Sequence, residues 1–267
     1  MTSILTVSTN PARLWHTTTT KKGSVLLSKV TANEVKQALQ DRAITDNVPI
    51  LQRFFKTGPG EYGEGDEFIG VKVPQTRQVC RDFRDLPLPE VQRLLDSSVH
   101  EHRLAGVIIL ANAYPKVGES HQQAIFDLYL KNVYAGRINN WDLVDVTAEH
   151  VIGAHLENSD RKLLYELAKS DELWQKRVAV ISTFRYIKKG DPGTTLDIAE
   201  ILLRDKHDLI QKAVGWMLRE VGKRVDEQLL LAYLDKHAHK MPRTQLRYAI
   251  ERLPEGLRIR YLHQTGN

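Results

Sequence analysis

The amino-acid sequence predicts an all-α protein, built as a superhelical stack of repeated helix pairs. After residue 30, nearly every segment spaces its apolar residues at a period of 3.6, and runs alternating at a period of two are scarce. Helix boundaries agree with this interpretation. TANE at 31–34 has the capping-box pattern, Pro74 and Pro89 suit first helical turns, and Gly190 with Pro192 ends a helix. We therefore expect about a dozen helices and no strand.

A weak internal repeat groups these helices into units. Four segments superimpose: HEHRLAGVIIL (100–110), WQKRVAVISTF (174–184), LIQKAVGWMLR (209–219) and RTQLRYAIERL (243–253). Each carries a small residue at the same register position, namely Ala105, Ala179, Gly215 and Ala249. A unit of about 34–40 residues predicts HEAT-like helix pairs, which stack into an array with a concave face. The alternative is that long amphipathic helices resemble one another by chance.

Composition and charge limit the class of protein. The 267 residues carry a net charge of +5, and residues 1–30 hold four basic and no acidic residues, so the rest is close to neutral. We expect residues 1–30 to form a flexible extension and 31–267 a single HEAT-like domain. The lone Cys80 excludes an intramolecular disulfide and a cysteine-cluster zinc site, and we expect no cofactor or metal. Apolar runs are too short to span a membrane, and we expect a cytoplasmic protein.

The helix predicted over 208–223 carries two stripes. One is apolar and faces the core. The other consists of Lys212, Trp216, Arg219 and Lys223, so Trp216 is not needed by the core. An indole among cations suits a sugar-phosphate backbone, with the cations binding phosphates. Alternatively, Trp216 covers a neighbouring helix and the basic stems fold over it.

Other cations also require an explanation. Arg177 lies in the middle of a helix and needs an anion, either a carboxylate or a phosphate bound through two hydrogen bonds. Arg185 shares its face, and Lys188 crowds the same helix end, where the dipole favours cations. Arg247 belongs to a basic C-terminal stretch that is equally well interpreted as a solvated helix surface.

The segment NNWDLVD (139–145) carries the main chemical signal. Asn139 or Asn140 can cap a helix that begins here. On this helix Trp141 and Asp145 are i, i+4 neighbours beside the core face. On a concave array these two residues converge with Arg177 and Trp216. A lone carboxylate between aromatic walls suits hydrolysis through a cationic, oxocarbenium-like transition state. No nucleophile triad, HExxH motif, phosphate loop or metal spacing is evident, and histidines such as His100 are interpreted as surface residues.

At these residues the sequence resembles the AlkD family of DNA alkylation repair glycosylases. Matching segments are RFFKTGPGEYGEGDEFIGVKVPQTRQ (53–78), NNWDLVD (139–145), WQKRVAVISTF (174–184) and IQKAVGWMLREVGK (210–223). The resemblance implies a concave DNA-binding face and hydrolysis of the N-glycosidic bond of cationic N3- and N7-alkylated purines in duplex DNA, without base flipping. It also implies no cofactor and no obligate protein partner.

The same resemblance implies roles for individual residues. It assigns the catalytic aspartate to Asp145, the arginine to Arg177 and the two tryptophans to Trp141 and Trp216. Phe55 stands where some relatives carry Tyr and Lys72 where others carry an amide, so we expect both near the DNA backbone. Two alternatives remain: a DNA-binding array without catalysis, and a protein-interaction scaffold of the same fold.

Overall fold

A computed structural model describes residues 30–264 of the chain, and within this range the protein is all-helical. The predicted flexible extension falls, except for Val30, outside the described residues. The helices are α1 (Ala32–Gln40), α2 (Val48–Phe54), α3 (Val73–Asp82), α4 (Leu88–Leu95), α5 (His100–Ala113), α6 (Glu119–Tyr134), α7 (Trp141–Asp145), α8 (Lys162–Ala168), α9 (Leu173–Ser182), α10 (Phe184–Ile187), α11 (Gly193–Ile201), α12 (Asp208–Arg224), α13 (Glu227–His237), α14 (Arg243–Ala249) and α15 (Glu255–Gln264).

The predicted helix starts and stops are borne out at several positions. Thr31 and Glu34 form the capping box at the start of α1, where the Thr31 amide donates to the Glu34 carboxylate at 2.8 Å. Gly190, in the left-handed region at φ +82°, follows the last helical turn before α11. The all-α prediction is confirmed for residues 30–264, where the sole β-type pairing is an isolated bridge between Glu67 and Val99. In the same range, none of the helices has the length and apolar character needed to cross a membrane.

Neighbouring helices pack in pairs along the chain. Helix α4 packs on α5, α8 on α9, and α12 on both α13 and α14, and one hydrophobic core runs from α1 to α15. This arrangement is consistent with a stack of helical repeats. The small residues of the repeat lie at the contacts: Ala105, Ala179 and Ala249 are fully buried, and a Cβ on Gly215 would lie 2.4 Å from the Gln245 carbonyl oxygen. The register residue is therefore small because α12 and α14 touch through their backbones.

The segment after NNWDLVD is less regular than the single helix that the sequence predicts. Helix α7 ends at Asp145, and a π-helical turn over Glu149–Gly153 follows it. Gly153 lets this turn pack closely on α9, since a Cβ there would lie 2.4 Å from the Ser182 carbonyl oxygen. Single π-helical turns often occur beside functional sites. Here both the turn and α7, which carries Trp141 and Asp145, pack against α9, which carries Arg177.

Candidate active site

The four residues predicted to form a site do meet, although they come from three different helices. Trp141 and Asp145 of α7, Arg177 of α9 and Trp216 of α12 line one open cleft of about 540 Å³, which we call the Asp145 cleft. Its remaining lining consists of Phe54, Lys56, Tyr62, Leu209, Lys212, Arg219 and Tyr248.

Asp145 and Arg177 form a paired carboxylate and guanidinium. Arg177 donates from Nε to Asp145 Oδ1 at 2.8 Å and from Nη2 to Oδ2 at 2.7 Å, and its Nη1 donates to the Leu209 carbonyl oxygen at 2.6 Å. The anion that Arg177 requires is thus a carboxylate of the protein. The arginine side chain is buried, whereas that of Asp145 keeps 16% of its surface exposed. A partly open carboxylate on a rigid partner is well placed to meet a ligand.

The environment of Asp145 also sets its acidity. Burial raises the pKa of the Asp145 carboxyl above its ordinary value, and the guanidinium of Arg177 lowers it and offsets part of that rise. Nearby Asp142 contributes a further, smaller upward shift of the Asp145 pKa. A carboxylate in this position carries its negative charge in poor solvent, where a developing positive charge is stabilised more strongly than in water.

Aromatic side chains form the walls of the cleft. The Trp141 ring lies flat against Phe55, with centroids 5.3 Å apart, and meets the edge of Phe54 at 5.6 Å. On the other side, Trp216 contacts Phe184 at 5.9 Å and remains partly exposed. These contacts support both indoles, which line the same cleft as Asp145.

The placement of Phe55 corrects one prediction. Phe55, which we expect from the sequence to lie near the DNA backbone, is only 6% exposed and lies behind Trp141. Its neighbour Phe54 is 60% exposed and lines the cleft instead. Helix α2 ends here, and consecutive residues point to opposite sides. The sequence pattern identifies the aromatic pair but not which member faces outward.

Beneath the cleft lies a buried charged network that the sequence does not predict. His100, interpreted from the sequence as a surface residue, is in fact buried, and its ring bridges Asp66 at 3.2 Å and Asp142 at 2.9 Å. Asp66 also accepts from Arg103 at 2.6 Å and from Asn139 at 3.1 Å. The network joins the loop between α2 and α3, the start of α5 and the start of α7. It therefore fixes the helix that carries Trp141 and Asp145.

The charge state of this network follows from its carboxylates. Burial alone would lower the pKa of His100, but the carboxylates of Asp142 and Asp66 outweigh it and raise the pKa to about 9. For Asp66, burial favours a higher pKa, but His100 and Arg103 together hold the pKa below its ordinary value. A charged imidazolium between two carboxylates is thus the form present at neutral pH.

The glycine-rich loop between α2 and α3 contributes directly to the site. It carries Tyr62, which lines the cleft together with Trp141 and whose ring meets the edge of Trp174 at 5.9 Å. Burial raises the Tyr62 pKa, so the hydroxyl stays protonated. The buried Glu101 carboxylate accepts hydrogen bonds from the backbone amides of 69–71, which holds the loop down. An aromatic residue in a loop of glycines and acids is the signal that could have indicated this role.

The predicted DNA-contacting cations differ in their surroundings. Within the cleft, Lys212 pairs with Asp208 at 2.8 Å, and Arg219 pairs with Glu251 and Glu220. Outside it, two further predicted cations are also paired, and three are exposed on the surface. The paired ones are Arg185 with Glu157 and Lys188 with Glu149, and the exposed ones are Lys72, Lys223 and Arg247. Arg247 lines a shallow cavity that shares Tyr248 with the Asp145 cleft.

The described part of the chain offers no set of ligands for a metal ion. Residues 30–264 contain no group of three or more His, Cys, Asp or Glu side chains arranged to hold an ion. The single cysteine, Cys80, is buried, and burial raises its pKa to about 12, so it is a poor nucleophile. Among these residues, Asp145 is the carboxylate that the walls of the cleft surround.

Together these features define an all-helical protein with an open cleft of aromatic and basic side chains around one carboxylate. A model of the DNA alkylation repair enzyme family matches residues 35–253, and the chain belongs to this family. Membership places the protein in DNA repair, with DNA as its substrate.

Two further comparisons complete this assignment. A solved structure described as a predicted DNA alkylation repair enzyme from Enterococcus faecalis superimposes with a TM-score of 0.61 at 15% sequence identity, over 80% of this chain and 98% of the other. At that identity the similarity concerns the fold alone. A search of curated proteins found no match.

Proposed function

We propose that the protein is a DNA glycosylase that hydrolyses the N-glycosidic bond of cationic N3- and N7-alkylated purines in duplex DNA, as the first step of base excision repair. The observation that carries this proposal is the Asp145–Arg177 pair at the floor of an aromatic cleft, with Asp145 still open to a ligand. Substrates of this class are 3-methyladenine and 7-methylguanine. Family membership supports the repair role, and the site supports the reaction type.

The chemistry of such a lesion matches a site with one carboxylate. In an alkylated purine that already carries positive charge, the bond between C1′ and N9 breaks with its electron pair going to the base. The base leaves neutral, and the positive charge passes to the deoxyribose as an oxocarbenium-like ion. A leaving group of this kind needs no general acid, so one carboxylate suffices where ordinary glycosidases use two.

Asp145 has two tasks in this mechanism. Its negative charge stabilises the oxocarbenium-like sugar as the bond to the base lengthens. A water molecule then adds to C1′, and Asp145 orients this water and accepts its proton. Arg177 keeps the carboxylate ionised and fixes both of its oxygens.

The walls of the cleft favour the same transition state. Indole faces attract cations, so Trp141 and Trp216 stabilise both the alkylated nucleoside and the sugar cation. The cleft is open and shaped by helix surfaces, and it holds no deep, enclosed pocket for an everted base. We propose that the enzyme acts on the deoxyribose from the backbone side, without flipping the base.

One assay separates this function from its alternatives. The protein is incubated with duplex DNA containing 7-methylguanine or 3-methyladenine, and free base is quantified against a reaction without protein, because these lesions depurinate slowly on their own. Release well above that background supports the glycosylase. Salt-sensitive binding without release would indicate a DNA-binding array, and absence of both would indicate a protein scaffold.

A further inference from the structure

A second cavity lies on the other side of Asp145. Its volume is about 490 Å³, it shares Asp145 with the Asp145 cleft, and we call it the Arg77 cavity. Buried Ile108 and Ala111 of α5 form its apolar floor. Its rim carries Arg77 of α3, Lys116 and His150, all exposed.

The cations of the two cavities differ in one respect. The four in the Asp145 cleft all have carboxylate partners: Lys56 with Glu61, Arg177 with Asp145, Lys212 with Asp208 and Arg219 with Glu251. Among residues 30–264, by contrast, Arg77 and Lys116 have no carboxylate within ion-pair distance, and neither has the imidazole of His150. A paired cation must give up its carboxylate to bind a phosphate, whereas an unpaired one exchanges only water. Of the two cavities beside Asp145, the Arg77 cavity is thus the one where a phosphate can bind without breaking an ion pair of its cations.

The lining of the Arg77 cavity also selects the ligand. It contains no Trp, Tyr or Phe side chain, so it lacks the large aromatic walls that the Asp145 cleft offers to a base. Guanidinium, ammonium and imidazole donors suit the oxygens of a phosphodiester. Asp145 is the one carboxylate in the lining, and Arg177 neutralises it from the opposite side.

We propose that the Arg77 cavity is a phosphate subsite for the DNA strand whose deoxyribose lies over Asp145, with Arg77 and Lys116 as its main donors and His150 as a third. The proposal rests on the proposed function in placing a deoxyribose at Asp145. Because Asp145 borders both cavities, a backbone that crosses it runs from the aromatic cleft into the Arg77 cavity. Binding the adjacent phosphate holds the sugar in register with the carboxylate.

The test uses duplex DNA with a single tetrahydrofuran abasic analogue, which binds without any base to release. Affinity is measured at several salt concentrations for the wild type and for the double variant Arg77→Gln/Lys116→Gln. We expect weaker binding and a salt slope smaller by about one, because the two removed cations together neutralise the single phosphate in the Arg77 cavity. Lys162→Gln is the control for removal of a surface charge, since Lys162 of α8 is exposed and lines neither cavity.

A second arm locates the phosphate. Phosphates around the abasic analogue are replaced one at a time by neutral methylphosphonates. For the wild type, we expect a methylphosphonate at one position next to the analogue to lower affinity. For the double variant, we expect the same methylphosphonate to leave affinity unchanged. The proposal is overturned if the double variant binds with wild-type affinity and salt slope, or remains equally sensitive at that position.

These readouts are independent of catalysis. If the wild type releases no alkylated base yet shows this pattern, the glycosylase assignment fails and the phosphate subsite stands. If the wild type releases base while the double variant binds like the wild type, the subsite fails and the glycosylase stands. Arg77 and Lys116 are exposed, so we expect both variants to melt at the wild-type temperature.

Discussion

Arg177 binds Asp145 through two parallel hydrogen bonds, Nε to Oδ1 at 2.8 Å and Nη2 to Oδ2 at 2.7 Å, and these join residues from two different helices. The pair leaves the carboxylate charged, rigid and partly open to the cleft. Such a group can stabilise a cation that forms above it without first reorganising. The predictions that follow depend on this relationship and on the packing that maintains it.

Asp145→Asn should remove catalysis and spare binding. The amide keeps the size of the side chain but loses the negative charge that stabilises the sugar cation. We expect the single-turnover rate of 7-methylguanine release to fall by roughly 10²–10³-fold. Affinity for duplex containing an abasic analogue should change little. Equal losses of rate and affinity would show that Asp145 only positions DNA.

The fall in reaction rate at low pH, the acid limb of the pH–rate profile, should report the ionisation of Asp145. Its pKa is raised by burial, so protonation sets in at a higher pH than for an ordinary carboxyl, and the rate falls as pH drops through that raised value. Arg177→Gln removes the guanidinium that lowers this pKa, so the limb should move to still higher pH. Single-turnover rates over the acidic range, corrected for spontaneous depurination, measure both. If the acid limb of Arg177→Gln stays at the wild-type pH, the limb reports the ionisation of a group other than Asp145.

Because of His100, the protein should become less stable as the pH rises above neutrality. The folded pKa of His100, about 9, lies above the unfolded value of about 6.5. The stabilisation is therefore fully present below about pH 6.5 and is lost as pH rises through about 9, amounting to on the order of 3 kcal/mol. Urea unfolding across this range should show the decline.

Substitution of His100 provides the control for that decline. His100→Gln leaves Asp142 without its charged partner, so the variant should be less stable by about 3 kcal/mol and should lose most of the pH dependence. His121→Gln changes an exposed histidine of α6 and should match the wild type. A variant at His100 that keeps the alkaline decline would place its origin elsewhere.

The adjacent residues Phe54 and Phe55 should have opposite effects. Phe54→Ala removes an exposed wall of the cleft, so excision and DNA affinity should drop by roughly tenfold, while stability should change by less than about 0.5 kcal/mol. Phe55→Ala removes a buried ring behind Trp141 and should destabilise the protein by about 3–5 kcal/mol. Urea unfolding and duplex binding separate the two effects. The reverse pattern would contradict the assigned orientations.

Gly215 should tolerate no side chain. A Cβ there would lie 2.4 Å from the Gln245 carbonyl oxygen, so Gly215→Ala must push α14 away from α12 and displace neighbouring Trp216. We expect a loss of about 1–3 kcal/mol in stability and slower excision. Gly256→Ala, at an exposed site in α15 with open space around it, should be neutral or stabilising by up to about 1 kcal/mol. Equal melting temperatures for the two variants would contradict the proposed backbone contact.

Much of the site follows from local sequence. The i, i+4 spacing of Trp141 and Asp145 places both on one helix face, and the mid-helix position of Arg177 demands an anion. Both inferences use short-range geometry, which a helix makes nearly constant. The small residue at Gly215 likewise indicates close helix packing before its partner is known.

What local sequence misses are the contacts between distant segments. The bridge from His100 to Asp66 and Asp142 joins residues separated by 34 and 42 positions, and no helical period relates them. The exposure of Phe54 in place of Phe55 depends on where α2 ends against the loop that follows it. The same holds for Tyr62, which lines the Asp145 cleft with Trp141 from a loop without regular structure.

The sequence by itself determined the all-helical fold, the small residues at helix contacts and the four side chains of the candidate site, because each depends on spacing along one helix or on a repeated register. Only the tertiary structure decided which anion Arg177 binds, which phenylalanine faces the cleft and which buried charges support α7. Those outcomes depend on how helices far apart in the chain are brought together, and burial then allows a charge only where another chain segment supplies its partner.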